Sequence, residues 1–97
     1  MNLLFIGDIL GKGGRRAVKE LTPELRREYN CAFVIANGEN IANGAGLSEK
    51  CVKELLDDGT VDVLTTGDHV WDQKKFEFEI KQFKNVLRPA NFHPDQP

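Results

Sequence analysis

Polar side chains that can bind cations or move protons follow each apolar run of this sequence. They are Asp8 after Asn2–Ile6, Glu39 and Asn40 after Cys31–Ala36, Asp68 and His69 after Val61–Thr66, and Arg88 and Asn91 after the run that begins at Val86. Carboxylate and amide oxygens beside a single imidazole suit Mn²⁺, Fe²⁺ or Mg²⁺ better than they suit a thiolate-type zinc site. The carboxylate of Asp68 can also raise the pKa of the neighbouring His69, which suits that histidine to general-acid chemistry.

Each of these residues also has a simpler structural explanation when it is taken alone. An aspartate such as Asp8 is common in turns and helix caps, and Glu39 can be a solvated loop charge. Asn40 and Asn43 can supply left-handed backbone positions, and we interpret Asn43 in that way. His69 alone would be a structural histidine. The predicted convergence of these residues, more than any one of them, favours a functional site.

The apolar runs are typical of buried strands, and they alternate with segments of helical periodicity. This alternation predicts an α/β fold with right-handed βαβ units and a mainly parallel sheet that helices cover on both faces. Ligands of such sheets bind beyond the carboxyl ends of the strands. The polar residues that follow the runs are therefore expected at one edge of the sheet.

Local signals predict the boundaries of the helices. Gly11–Gly14 predicts a loop, and the segment Thr22-Pro23-Glu24 predicts two short helices or one helix broken at its proline. Ser48 is a candidate N-terminal cap for the next helix, and Gly59 is a candidate C-terminal cap for it. The spacing of apolar residues in Gln73–Phe83 predicts a further helix before the fourth strand.

The composition is that of an ordinary globular protein without a strong charge bias. The 97 residues are 40% hydrophobic and 29% charged, with a formal net charge of -2. Such a balance excludes a disordered chain and predicts no strong non-specific binding to nucleic acid. No apolar stretch approaches the roughly 20 residues of a membrane span, and no signal peptide is evident, so we expect a cytoplasmic location and no membrane contact. Cys31 and Cys51 form no CxxC pair and are interpreted as small apolar residues.

Two phosphate-binding motifs can be tested and rejected. Gly7 and the Gly11-Lys12 pair are one residue too close for a Walker A motif, and Arg16 stands where a dinucleotide-binding fingerprint needs its third glycine. Lys12, Arg15 and Arg16 can still bind an anion near a helix N-terminus, or they form a solvated basic face. Trp71 and Phe76 are interpreted as core residues rather than as a base-stacking platform.

The end of the chain departs from the alternating pattern. Three of the four prolines lie in Pro89–Pro97, and no helix follows the last predicted strand. A parallel sheet with an uncovered face or edge is prone to associate. We therefore interpret residues 1–97 as the N-terminal portion of a single, larger domain, and we expect the isolated chain to form homo-oligomers.

Four motifs at the strand ends resemble one known group of enzymes. These motifs are LFIGDILGKGGR at Leu4–Arg15, NGENIANGAGL at Asn37–Leu47, TTGDHVWD at Thr65–Asp72 and RPANF at Arg88–Phe92. Together they resemble the YmdB-like metallophosphoesterases of the calcineurin-like superfamily, which are assigned as 2',3'-cyclic-nucleotide 2'-phosphodiesterases. The resemblance implies the first half of an α/β/β/α sandwich with a dinuclear metal centre.

The resemblance also implies a role for each candidate residue. Asp8 and Asn40 would be ligands of the first metal, Glu39 would bridge both metals, Asp68 would be a ligand of the second, and His69 would protonate the leaving oxygen. The metals would be two divalent or mixed-valence ions, iron or manganese first, with magnesium also suitable. The implied reaction is the hydrolysis of a phosphodiester or cyclic nucleotide by a metal-activated hydroxide.

The sequence departs from the family pattern in two ways. The family motif Gly-Asn-His is Gly67-Asp68-His69 here, and the added charge should reduce the Lewis acidity of a bound metal. The later family histidines are absent, and His93 does not match them. We therefore expect weak metal binding and little turnover from the isolated chain. Two alternatives stay open, namely a non-catalytic module that self-associates or binds cations, and a phosphate-binding or nucleotide-binding domain.

Overall fold

The chain alternates strands and helices from end to end. The computed structural model describes residues 1–97 and contains β1 (Asn2–Ile6), α1 (Gly11–Glu28), β2 (Cys31–Asn37), α2 (Glu49–Leu56), β3 (Val63–Thr65), α3 (Phe76–Glu79), a 3₁₀ turn (Ile80–Gln82) and β4 (Val86–Leu87). The four strands form one parallel sheet in the order β1-β2-β3-β4. The predicted α/β class and parallel sheet are confirmed.

The register of the strands brings their carboxyl ends to one edge of the sheet. Ile6 of β1 pairs with Ala36 of β2, and Asn37 of β2 pairs with Thr65 of β3. Thr65 in turn pairs with Leu87, the last residue of β4. The segments that follow the four strands therefore begin side by side, and this edge carries the candidate site.

Helices cover only one face of the sheet, whereas the sequence predicted cover on both. The side chains of Val34, Ala36 and Leu64 point to the covered face and are buried in the core with Val52 and Leu55 of α2. Alternate strand residues point to the other face. There, four large apolar side chains are exposed to solvent: Leu3, Phe5, Phe33 and Leu87. The prediction that the first strand is buried on both sides is therefore wrong.

The first helix corrects two further predictions. α1 begins at Gly11, inside the segment predicted as a loop, and continues unbroken past Pro23 to Glu28. Pro23 removes one backbone donor, but Val18 and Thr22 are buried against the rest of the molecule. Packing of the helix face outweighs this local defect, because most helical stability in proteins comes from tertiary contacts.

Other boundaries agree with the sequence to different degrees. Ser48 caps α2 as predicted, since its Oγ accepts a hydrogen bond from the Cys51 amide at 3.3 Å. Gly59 has a φ of 77° and lies three residues beyond the end of α2. The third strand, predicted as Val61–Thr66, is shorter because the Val61 amide bonds to the Leu55 carbonyl of α2 at 3.0 Å. The helix predicted over Gln73–Phe83 is a short α-helix followed by a 3₁₀ turn.

Candidate metal and phosphodiester site

Backbone hydrogen bonds hold the three polar loops together at the carboxyl edge of the sheet. The Ile9 amide, next to Asp8, donates to the Asn37 carbonyl at 3.1 Å. The Gly11 amide donates to the Asn40 carbonyl at 3.0 Å, and the Gly38 amide donates to the Thr65 carbonyl at 2.8 Å. The loops after β1, β2 and β3 are therefore fixed to one another by the main chain.

Asp8 and Asn40 form one pair within this edge. The Asn40 Nδ2 group donates to both carboxylate oxygens of Asp8, at 3.0 and 3.1 Å. Both side chains carry oxygen atoms of the kind that hard cations prefer. The pair joins the loop after β1 to the loop after β2.

Glu39 is held in a fixed position by its neighbours. The Glu39 amide donates to Oδ1 of Asn37 at 3.0 Å, and the Asn37 Nδ2 group lies 3.4 Å from Glu39 Oε1. The Glu39 Oε2 atom is shielded from solvent and has no hydrogen-bond partner. A Cβ atom at Gly67 would lie 2.5 Å from this oxygen. Any larger residue at that position would require the carboxylate to move.

Glu39, Asp68 and His69 form a second group beside the first. One potential ligand atom from each residue lies within 4.8 Å of the other two. Asp68 and His69 are exposed, while Glu39 is half-buried. Because Glu39 directly precedes Asn40 in the chain, it connects this group to the Asp8–Asn40 pair. The structure thus brings all five predicted site residues to the same edge, although their roles stay predictions.

His69 is oriented by two carboxylates of its own loop. Its Nδ1 atom lies 2.8 Å from Oδ2 of Asp72, and its Nε2 atom lies 4.0 Å from Oδ1 of Asp68. The hydrogen bond to Asp72 and the charge of Asp68 raise the pKa of His69 above its usual value, against a smaller opposing effect of desolvation. The protonated imidazolium is therefore favoured, which is the form that a general acid needs.

Two residues of this arrangement were missed by the sequence analysis. Asn37 positions Glu39, and Asp72 positions His69. The Asn37-Gly38 pair is typical of a turn after a strand, so it did not indicate a role in the site. Asp72 carried a weak signal, since a histidine and an aspartate three residues apart can face each other across one turn.

Comparisons with known proteins identify the family of this chain. The sequence model of the family described as YmdB-like protein matches residues 4–97. The chain belongs to the YmdB-like family.

Relatives of this YmdB-like chain have names that describe phosphoester chemistry. The 2',3'-cyclic-nucleotide 2'-phosphodiesterase of Bacillus subtilis (strain 168) is 45% identical over 97 residues, which are 100% of this chain and 36% of that protein. A crystal structure of a novel phosphatase from Mycoplasma pneumoniae has a TM-score of 0.88 and 35% identity, over 98% of this chain and 34% of the other. A hypothetical protein from Thermus thermophilus, also known from a crystal structure, has a TM-score of 0.85 and 40% identity, over 100% of this chain and 37% of the other.

The YmdB-like chain spans about a third of the length of the curated relatives that it matches. The predicted family and the predicted N-terminal placement within it are confirmed by these matches. None of its helices has both the length and the apolar composition that crossing a membrane requires.

The residues at this edge fit a cation. Glu39 Oε2 is a buried anionic atom without a donor, and a buried charge of this kind is costly unless a counter-charge meets it. The neighbouring donors are carboxylate and amide oxygens with one imidazole, which suit divalent transition metals and magnesium. Both the chemistry of the donors and the orphaned oxygen therefore favour a metal site.

The basic residues considered for anion binding are already engaged elsewhere. The Arg15 guanidinium donates to Glu54 Oε2 at 2.8 Å and to the Ile41 carbonyl, and its side chain is only 13% exposed. Arg16 pairs with Glu20 at 3.1 Å along α1. Only Lys12 of the three has no such partner, so the structure does not support a phosphate site built on this cluster.

The segment after β4 contributes nothing comparable. The Arg88 Nη1 group donates to the His93 carbonyl at 3.2 Å, which ties this arginine to the C-terminal tail. His93 is likewise engaged within the tail, where its Nδ1 atom accepts a hydrogen bond from the Asp95 amide at 3.1 Å. These residues therefore lie outside the candidate site.

Proposed function

We propose that this chain is the N-terminal part of a metal-dependent phosphodiesterase that acts on 2',3'-cyclic nucleotides or related phosphodiesters. The observation that carries the proposal is the buried, partnerless Oε2 atom of Glu39 beside Asp68 and His69. The name of the Bacillus subtilis relative supports the substrate class. The remaining two thirds of the relatives' length would complete the same catalytic domain.

Four side chains of this chain would hold the cations. Asp8 and Asn40 would bind the first, Asp68 would bind the second, and Glu39, which directly precedes Asn40 and lies beside Asp68, would be available to both. Iron or manganese would suit these ligands best, and magnesium would also fit. Bound there, the cations would neutralise charge on the phosphoryl oxygens and lower the pKa of a water molecule.

His69 would supply the proton for the leaving oxygen. Asp72 occupies its Nδ1 side, so the Nε2 side is the one that can meet a substrate. In the hydrolysis of a 2',3'-cyclic nucleotide, the bond from phosphorus to the 2' oxygen breaks and that oxygen takes a proton. A positioned general acid contributes roughly 10² to 10⁴ in rate to such a step.

The isolated chain should bind metal weakly and turn over little substrate. Four ligand side chains leave most positions of two six-coordinate cations to water, and weakly held ions are poor at fixing a nucleophile. The cytoplasmic location that we expect from the sequence belongs to this same proposal.

Metal binding by the 97-residue chain is the first test of the proposal. Titration with Mn²⁺ should broaden the amide NMR signals of residues 39–40 and 67–69 before those of other loops. Glu39→Ala should abolish this selective broadening, whereas Glu24→Ala, on the exposed side of α1, should leave it unchanged. Broadening that is the same in wild type and Glu39→Ala would contradict the proposed ligands.

Activity is the second test, and it needs a complete domain. A chimera can replace the matching N-terminal third of the Bacillus subtilis relative with this chain. The chimera should hydrolyse 2',3'-cyclic AMP in the presence of Mn²⁺. Glu39→Ala should reduce its kcat by at least roughly 10²-fold to 10³-fold, which is the order of magnitude that the loss of one charge-stabilising group costs. A well-folded chimera without metal-dependent turnover would refute the proposed function.

A further inference from the structure

Three features of the loop that carries His69 fix the backbone at and next to Asp72. Asp72 lies in a turn in which its amide donates to the His69 carbonyl at 3.0 Å. Gly46, at a φ of 77°, packs so closely that a Cβ there would lie 3.1 Å from Asp72 Cβ. The next residue, Gln73, donates through Nε2 to the Ala45 carbonyl at 3.0 Å. The backbone that carries the Asp72 side chain is thereby held against the loop between β2 and α2.

From this position, Asp72 can hold only one of the two imidazole nitrogens. Its Oδ2 atom is 2.8 Å from Nδ1 of His69, which is hydrogen-bond distance. Asp68 is the competing carboxylate, but it lies 4.0 Å from Nε2, beyond that distance. A carboxylate accepts hydrogen bonds, so the contact with Asp72 requires the proton on Nδ1. The Nε2 atom of the neutral ring then carries the free lone pair.

We propose that Asp72 is a positioning residue that fixes His69 in the Nδ1–H tautomer and leaves its Nε2 atom on the side of Asp68. This inference rests on the proposed function for its catalytic meaning, because the imidazolium would give its Nε2 proton to the leaving oxygen and would be left as the neutral Nδ1–H tautomer. The tautomer itself does not depend on that function. It follows from the contacts of His69 alone.

The second histidine of the chain provides an internal contrast. Nδ1 of His93 accepts a hydrogen bond from the Asp95 amide at 3.1 Å, and an accepting nitrogen cannot carry a proton. The neutral ring of His93 must therefore be the Nε2–H tautomer. One molecule thus contains two histidines for which the structure requires opposite tautomers.

Long-range ¹H–¹⁵N NMR of the uniformly labelled 97-residue chain tests the inference. Spectra are recorded at about pH 9, well above the usual pKa of an imidazole. We expect a protonated Nδ1 and a bare Nε2 in His69, and the reverse in His93. An Nε2–H tautomer of His69 in the wild-type chain would overturn the proposal.

Two substitutions show whether Asp72 is the cause. Asp72→Ala should shift His69 to the Nε2–H form and leave His93 unchanged, and Asp72→Asn, whose amide can either accept from Nδ1 or donate to it, should populate both tautomers. If His69 stays Nδ1–H in a folded Asp72→Ala chain, Asp72 does not set the tautomer and the proposal fails. If Asp72→Ala does not fold, the Asp72→Asn spectrum decides the question, since a His69 that stays wholly Nδ1–H there would show that the carboxylate does not set the tautomer.

A leaving-group comparison in the chimera tests the catalytic meaning separately. Asp72→Ala should lower kcat for 2',3'-cyclic AMP by roughly 10²-fold, because the 2' oxygen of this substrate leaves as an alkoxide that must be protonated. The same substitution should change kcat for bis-p-nitrophenyl phosphate far less, since nitrophenolate leaves without a proton. Equal losses on both substrates would overturn the positioning role in catalysis. An inactive wild-type chimera with the expected tautomers would instead refute only the phosphodiesterase function.

Discussion

Glu39 is the residue whose surroundings are hardest to explain without a ligand. Its Oε2 atom is buried and lacks a donor, and the neighbouring Gly67 provides space but no hydrogen bond to this oxygen. Asp68 adds a second negative charge within the same small group. Such an arrangement lowers the stability of the metal-free protein, which is common at sites selected for function rather than for stability.

Glu39→Gln should therefore stabilise the metal-free chain. Neutralising the buried oxygen removes a desolvation cost of about 1 kcal/mol, which corresponds to a rise in Tm of roughly 4 to 8 °C for a domain of this size. Mn²⁺ should reverse the order, because only the wild-type chain gains stability from binding. Calorimetry with and without Mn²⁺ measures both effects, with Glu24→Gln as the control. A lower metal-free Tm for Glu39→Gln than for the control would contradict this interpretation.

Asp68 differs from the asparagine of the family motif, and its exposed position limits what it can do for stability. Its side chain is 87% exposed, so its main effect should be on the charge of the proposed metal site. In the chimera, Asp68→Asn should weaken the apparent affinity for Mn²⁺ but raise kcat at saturating metal, because one less anionic ligand leaves the metal a stronger Lewis acid. Steady-state kinetics over a range of Mn²⁺ concentrations separates the two effects. A lower kcat at saturation would show that the aspartate is the better ligand here.

At the scale of elements, Arg15 connects α1 to the loop that carries Glu39 and Asn40. Its guanidinium bonds at once to the carboxylate of Glu54 on α2 and to the carbonyl of Ile41, whose side chain is fully buried. A planar guanidinium can make both contacts in fixed directions, whereas an ammonium group cannot. Arg15 thus holds the site loop against two helices.

Arg15→Lys should destabilise the chain even though it keeps the charge. The loss of one buried contact predicts a cost of about 1 to 3 kcal/mol. Amide hydrogen exchange should also accelerate in residues 39–42 more than in the strands. Arg16→Lys is the matched control, since Arg16 forms only an exposed pair with Glu20 and should change stability by less than about 0.5 kcal/mol. Similar effects of the two substitutions would show that Arg15 has no special role.

The alternation of elements could be predicted from the sequence, but their exact extents could not. Apolar runs that end in Gly-Asp or Asn-Gly indicated where the strands lie along the chain and at which edge of the sheet their loops meet. Pro23 gave a misleading signal, because local propensity argued for a break and the packing of Val18 and Thr22 preserved the helix. The open face of the sheet was also missed, since an apolar strand does not reveal which of its sides will be covered.

In the candidate site, too, the sequence indicates which chemically distinctive residues are present but not which contacts they make. Asp8, Glu39 and His69 stood out because carboxylates and an imidazole at strand ends are chemically distinctive. Asn37 and Asp72 did not, because their importance lies in hydrogen bonds of 3.0 and 2.8 Å that appear only when the loops are folded. Positioning residues are in general harder to find from one sequence than the groups that they position.

At the scale of the whole molecule, the main feature is the open face of the sheet, an apolar surface that no helix of this chain covers. Its exposed apolar side chains come from three strands, with Phe5 on β1 as the most exposed at 64%. The face lies opposite the helices, and the candidate site lies at its edge. Large exposed apolar patches of this kind mark surfaces that associate.

We therefore expect the isolated chain to self-associate through this face. Replacing both Phe5 and Phe33 with threonine keeps a good strand former at each position while removing most of the aromatic surface. This double variant should weaken association by more than about tenfold, a change of roughly 1.4 kcal/mol. Phe78→Gln is the control, because Phe78 is equally exposed but lies on α3, away from the sheet. Sedimentation equilibrium at millimolar concentration measures the change, and a wild-type chain that stays monomeric there would show that its apolar face does not drive association.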